Sequence, residues 1–188
     1  MAKQTRPAGL GTNDVGFGSV AWSSPERIVA SDDSTSFVDP GSLGSNYLKA
    51  QSFGFRVPSD AVITGIVVSV ERRRASTGAD IHDQRIRVVK ADGFIGTVDK
   101  ADLVTIWPTV DSVVNYGGDA DLWGETWTAS DVNSANFGAV VACSYEVGSA
   151  TNAAVDHIEL TVHYTQHGTP CIVRHVPVPP MITYPAIR

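Results

Sequence analysis

The stretch Ala61–Arg74, AVITGIVVSVERRR, constrains this chain more than any other, because its apolar residues alternate instead of recurring with a helical period. Val62, Thr64, Ile66, Val68 and Val70 share one face at period two, the pattern of a strand with one buried side. A turn at Pro58-Ser59-Asp60 precedes it, and Arg72 and Arg74 are expected to run out into solvent. A second ladder, Ala153–Thr165, puts Ile158, Leu160, Val162 and Tyr164 inward and His157, Glu159, Thr161 and His163 outward. In Phe137–Val147 the residues Phe137, Ala139, Val141, Cys143, Tyr145 and Val147 share a face. Gln84–Ala91 alternates Ile86 and Val88 against Arg85 and Arg87, and Asp92-Gly93 marks a hairpin leading to Phe94–Val98. Asn46–Val57 reads as a strand pair or a bulged strand, with Gly54 as the irregularity.

Only Thr128–Ser134 reads as helical, a single turn with Thr128 as N-cap and Asp131 completing a capping box. Short strands divided by turn chemistry predict an all-β fold, an antiparallel, jelly-roll-like β-sandwich. Seventeen glycines and ten prolines fit many turns and few long helices. The predicted organisation is an extended N-terminal arm at 1–21, a sandwich body at 22–165 and a Pro-rich extended C-terminal arm at 166–188.

Charge narrows the partners. The net charge of −6 argues against nucleic acid, because phosphate binding needs a dense basic face. Lys3 and Arg6 in the first arm and Arg174 and Arg188 in the second have no acid beside them, although the chain holds 20. Basic ends on an acidic body suggest ends that reach for another surface, or an accident of few charges. Arg72, Arg73 and Arg74 add either an ionic contact to a neighbouring subunit or a solvated strand end facing Asp80 and Asp83. No run approaches the ~18 apolar residues of a membrane span, and the start lacks a signal-peptide core. Cys143 reads as a small buried hydrophobe, Cys171 falls in the C-terminal arm, and folding in a reducing cytoplasm is expected.

Catalytic motifs are absent: there is no Gly-x-Ser-x-Gly, His-Glu-x-x-His, Gly-x-x-x-x-Gly-Lys or Cys-x-x-Cys. No enzyme, cofactor or metal is expected. His157 and His163 stand about 20 Å apart along a strand, so one ion in one subunit does not bind both. One histidine per subunit on a threefold axis is the alternative to a polar outer face. Asp119 and Asp121 in GGDADLWG are either calcium ligands or an acidic turn. Trp107, Trp123 and Trp127 near a long loop would plug the end of a sandwich; alternatively, Trp123 and Trp127 would face a sugar. The tail PCIVRHVPVPPMITYPAIR sets prolines among Ile172, Val173, Val176, Val178, Met181, Ile182 and Tyr184. Its prolines favour extended backbone, and its apolar residues favour docking in a groove of this chain or of a neighbour.

The strings SNYLKAQSFGFRVPSDAVITGIVVSVERR, YGGDADLWGETWTASDVNSANFGAVV and AAVDHIELTVHYT resemble a β-sandwich family of virion structural proteins of tailed bacteriophages, over about residues 22–165. The resemblance implies a structural role without catalytic residues, on heads or tails alike. The expectation is a capsid decoration (cement) protein, a trimer on the capsid surface whose partners are the major capsid protein and other virion proteins. Both arms, with Lys3, Arg6, Arg72, Arg73, Arg74 and the tail's apolar residues, are the expected docking elements. The alternative is a tail, fibre or neck module that binds host polysaccharide.

Overall fold

The computed structural model describes residues 1–145, 148 and 151–166, and the predicted C-terminal arm from 167 lies outside them. Among the described residues, two antiparallel sheets pack face to face. One runs β1 (Ala2–Pro7), β9 (Ala153–Gln166), β5 (Ala61–Arg74) and β7 (Ser112–Gly117), with β3 (Ser36–Val38) also pairing β9. The other runs β2 (Leu10–Asp14), β4 (Tyr47–Gln51), β8 (Gly138–Ser144) and β6 (His82–Val89). The fold is therefore the expected all-β antiparallel sandwich.

The core follows from the alternation. Ile158, Leu160, Val162 and Tyr164 of β9 face Ala139, Val141 and Cys143 of β8 and Ile86 and Val88 of β6 across the interior. The inward set of β5 departs from the expected one at its start. Ile63 is buried and Val62 is half exposed, because the pairing with β9 slips between Ile63 and Gly65. This bulge around Thr64 moves the strand from one parity to the other, and Ile66, Val68 and Val70 then point inward as expected.

Within residues 1–21 the stretches Ala2–Pro7 and Leu10–Asp14 are strands and belong to the body, not to a separate arm. Ala2–Pro7 pairs β9 along its whole length, the chain turns at Ala8-Gly9, and Leu10–Asp14 then pairs β4 in the opposite sheet. A corner this tight needs a residue without a side chain. A Cβ on Gly9 would lie 2.5 Å from the Ser52 carbonyl oxygen. The hairpin turn at Asp92-Gly93 forms, Gly93 at φ 87°, but the segment after it keeps only one bridge, Val89 to Ile95, in place of the expected strand. Helix α1 (Ala129–Asn133) has both halves of its capping box: Asp131 N–H donates to Thr128 Oγ1 at 3.1 Å, and Thr128 N–H to Asp131 Oδ2 at 2.8 Å.

Candidate docking surface

Between β6 and β7 the chain runs for 22 residues without a regular strand, and residues 99–111 of that run form a projecting ledge. Its shape is set by carboxylates that take the backbone hydrogen bonds a strand would otherwise supply. Asp99 Oδ1 accepts the N–H groups of Ile86 and Ala101 at 3.0 and 3.1 Å, and its other oxygen pairs with Arg87 at 3.1 Å. Asp102 Oδ1 accepts the N–H groups of Val104 and Thr105, both at 3.0 Å. These bonds, led by those from Thr105, hold the Asp102 carboxyl at about 2. At the far end, Trp107 N–H donates to the Ile81 carbonyl at 2.8 Å, and Arg74 N–H donates to the Pro108 carbonyl at 2.7 Å.

Between these pins the apolar side chains have nowhere to go but outward. Leu103 is 62% exposed, Val104 82% and Val110 67%, with Ile106 also in solvent. Val113 on β7, 60% exposed, follows them in sequence. Isolated exposed aliphatics are ordinary, but a cluster on one held loop beside a sheet edge is the composition of a contact surface. Because the backbone is already fixed, a partner would meet it with little ordering cost.

Underneath lies a buried charge knot. Arg72 Nη1 donates to Asp83 Oδ1, Trp107 Nε1 to the same oxygen at 2.9 Å, and Tyr116 Oη to Asp83 Oδ2 at 2.7 Å. The Asp102 N–H completes the set at 3.0 Å. The guanidinium of Arg72 lies 4.6 Å from the centre of the Trp107 ring. Arg72 comes from one sheet and Asp83 from the other, so the pair spans the sandwich and ties the ledge to both layers. Burial pushes the Tyr116 phenol far up, so it stays a donor.

The structure thus separates the residues that sequence grouped together. Arg72 is 2% exposed and belongs to the core, which corrects its expected place in solvent and in docking. The alternation that buries Val68 and Val70 continues to Arg72, and Asp83 makes its burial tolerable. Arg73 lies on the outer face against Asp111 at 3.2 Å, and Arg74 pairs with Asp80 at 3.1 Å. Lys3 and Arg6 are exposed on β1. Trp123 is fully buried and Trp127 9% exposed, so both rings lie in the core and not on the surface. Their indole N–H groups donate to the carbonyls of Ile66 and Leu122, both at 2.9 Å, and Trp127 packs edge-on to Phe137. The rings close the sandwich end, as the structural reading of them expects. Asp121 accepts the Trp123 N–H at 2.9 Å and pairs with Lys100 at 2.6 Å, while Asp119 is exposed in the turn beside it. Among the described residues no three His, Cys, Asp or Glu are placed to hold a metal ion. Ile172, Val173, Val176, Val178, Met181, Ile182 and Tyr184 lie outside the described residues.

Sequence reasoning missed the ledge. Its one available clue was the run LVTIWPTV, apolar yet without period two and broken by Pro108.

No family model matches the chain, and no curated protein matches it. Among solved structures it is similar to an arabinose-bound α-L-arabinofuranosidase at 10% identity and a TM-score of 0.47, covering 85% of this chain but only 25% of that one. It is also similar to a xylan-binding domain from Paenibacillus barcinonensis, at 9% identity and a TM-score of 0.41 over 85% of this chain and 92% of that one. A cellulose-binding domain from a Cellulomonas fimi β-1,4-glucanase is similar at 15% identity and a TM-score of 0.42, over 85% and 93% of the two chains.

Proposed function

We propose that this chain is a non-catalytic structural module that docks on other protein surfaces in a large particle. The observation that carries the reading is the held apolar ledge of Leu103, Val104, Ile106 and Val110. A side chain kept in water by a fixed backbone gains by being covered, at about 25 cal/mol per Å² of apolar area. Repetition of one modest contact over many copies gives a firm attachment without a strong single site. The acidic charge and the absence of catalytic motifs agree with such a role.

In its specific form the proposal is a decoration protein on a phage capsid, with the major capsid protein as partner and a trimer as the docking unit. Support for that form comes from the sequence resemblance alone. The rival reading as a polysaccharide-binding tail or neck module assigned the ligand to Trp123 and Trp127, both of which lie in the core.

The test is sedimentation of purified chain with shells stripped of it. The native chain is expected to co-sediment, and the double variant Val104→Asp/Val110→Asp to remain in the supernatant while unfolding at the native temperature. Equal binding by both proteins would remove the ledge from the account.

A further inference from the structure

The five-stranded sheet leaves two edges open among the described residues. β1 bonds only to β9, β7 bonds only to β5, and neither has a further strand on its outer side. An unpaired edge is a template for another strand. We propose that β1 of one copy pairs with β7 of the next, continuing the sheet from subunit to subunit in a head-to-tail ring.

Three observations carry this. The first is strand direction. β1 and β5 are both antiparallel to β9 and so run the same way, and β7 runs against them. A second copy placed at the β7 edge in the same orientation therefore presents β1 antiparallel to β7, the arrangement every other neighbour in the sheet already has.

The second is fit. Both strands are six residues long. Gln4 of β1 is opposite the inward Val162, while Val114 and Tyr116 of β7 are opposite the inward Val70 and Val68. Even-numbered residues of both strands thus face the core, and a joint that keeps the two faces pairs even with even and odd with odd. Thr5 then stands opposite Val113 or Asn115.

Charge is the third. β1 carries Lys3 and Arg6, neither of which has an ion-pair partner among the described residues. The ends of β7 are flanked by Asp111 and Asp119. Antiparallel approach brings the Lys3 end of β1 to Asp119 and the Arg6 end to the Asp111 end of β7. Asp111 also pairs with Arg73 at 3.2 Å on the outer face, while Arg6 lies on the core-side parity. The match is therefore one of net charge at each end and not of preformed ion pairs. Main-chain bonds supply the attraction and the flanking charges set the direction. Because two different edges meet, the contact is heterologous and repeats until it closes into a ring.

The joint does not depend on what the ledge binds. The experiment is sedimentation equilibrium of the full chain with a set of edge variants. The native chain is expected to form a discrete oligomer. Lys3→Glu/Arg6→Glu and Asp111→Lys/Asp119→Lys should each weaken association at least about tenfold, and the four changes together should restore it. In a Cys171→Ser background, Thr5→Cys should form an intermolecular disulfide with Val113→Cys or Asn115→Cys, and none with the opposite-face Val114→Cys. A chain that stays monomeric, or an oligomer indifferent to these charges and unlinked by these cysteines, would overturn the inference. A monomer that still co-sediments with shells would overturn it alone and leave the docking reading standing.

Discussion

Arg72 and Arg74 stand two positions apart on one strand and meet different fates. Arg74 reaches Asp80 at the margin, whereas Arg72 turns under Trp107 to a carboxylate whose oxygens accept four hydrogen bonds. Removing one charge from such a pair leaves the other buried alone. Asp83→Asn should therefore cost about 3–5 kcal/mol in urea denaturation, and replacing both residues by apolar ones should recover much of that. A loss for Asp83→Asn similar to that of a surface substitution would mean that the knot is not structural. Two other carboxylates respond to acid with opposite signs. Asp102 is held at about 2, below its ordinary 3.8, so its contribution is full above pH 3.8 and lost as pH falls through about 2. Asp156 sits 1% exposed at a register slip in β9 and accepts the N–H groups of Asp32 and Asp33, at 3.1 and 3.2 Å. Burial raises its carboxyl, with Glu71 and Asp32 adding to the effect. Its favourable contribution is full below 3.8 and lost as pH rises through the raised value. Asp156→Asn should accordingly leave stability unchanged or raise it at pH 7, and steepen the acid limb of the thermal midpoint against pH, because the stability this carboxyl gains on protonation is lost. A fall in the midpoint at pH 7 would contradict this.

At the scale of elements, the strands easiest to read were those with one buried face and no interruption. The interior ladder of Ile158, Leu160, Val162 and Tyr164 appears as expected, and so do Ile86 and Val88. The capping box of α1 was legible because its geometry is local, and Thr128→Ala should cost about 1 kcal/mol in the same denaturation assay. The edge strands were not legible. β1 and β2 are mostly polar and partly exposed, and β7 buries little besides Tyr116, so hydrophobic alternation had nothing to report. Their pairing is fixed by distant strands that no local pattern displays. Bulges hid a second layer, since a slipped pair reverses parity without changing the residue types. Packing between strands is just as invisible in sequence. A Cβ on Gly138 would lie 2.0 Å from the Ala50 carbonyl oxygen of the neighbouring strand. Gly138→Ala should therefore destabilise by about 1–3 kcal/mol, with a normal thermal midpoint as the contrary result.

For the molecule as a whole, the proposed docking site lies where the sequence pattern stops. Arg72 is expected in solvent because a guanidinium is expensive to bury; here it is buried against Asp83. Trp107, Trp123 and Trp127, expected as structural plugs, are buried with their indole N–H groups bonded. The aliphatics of the ledge lie in water because Asp99, Asp102 and Trp107 hold their backbone away from the interior. On the proposed reading, the chain meets its surroundings through one held apolar surface. Electron microscopy of the native particle, locating every copy of this chain, tests that claim most directly. The account predicts many copies on the shell, each with Leu103, Val104 and Val110 covered by a neighbouring protein. A few copies at the tail or neck with the ledge in solvent would contradict it.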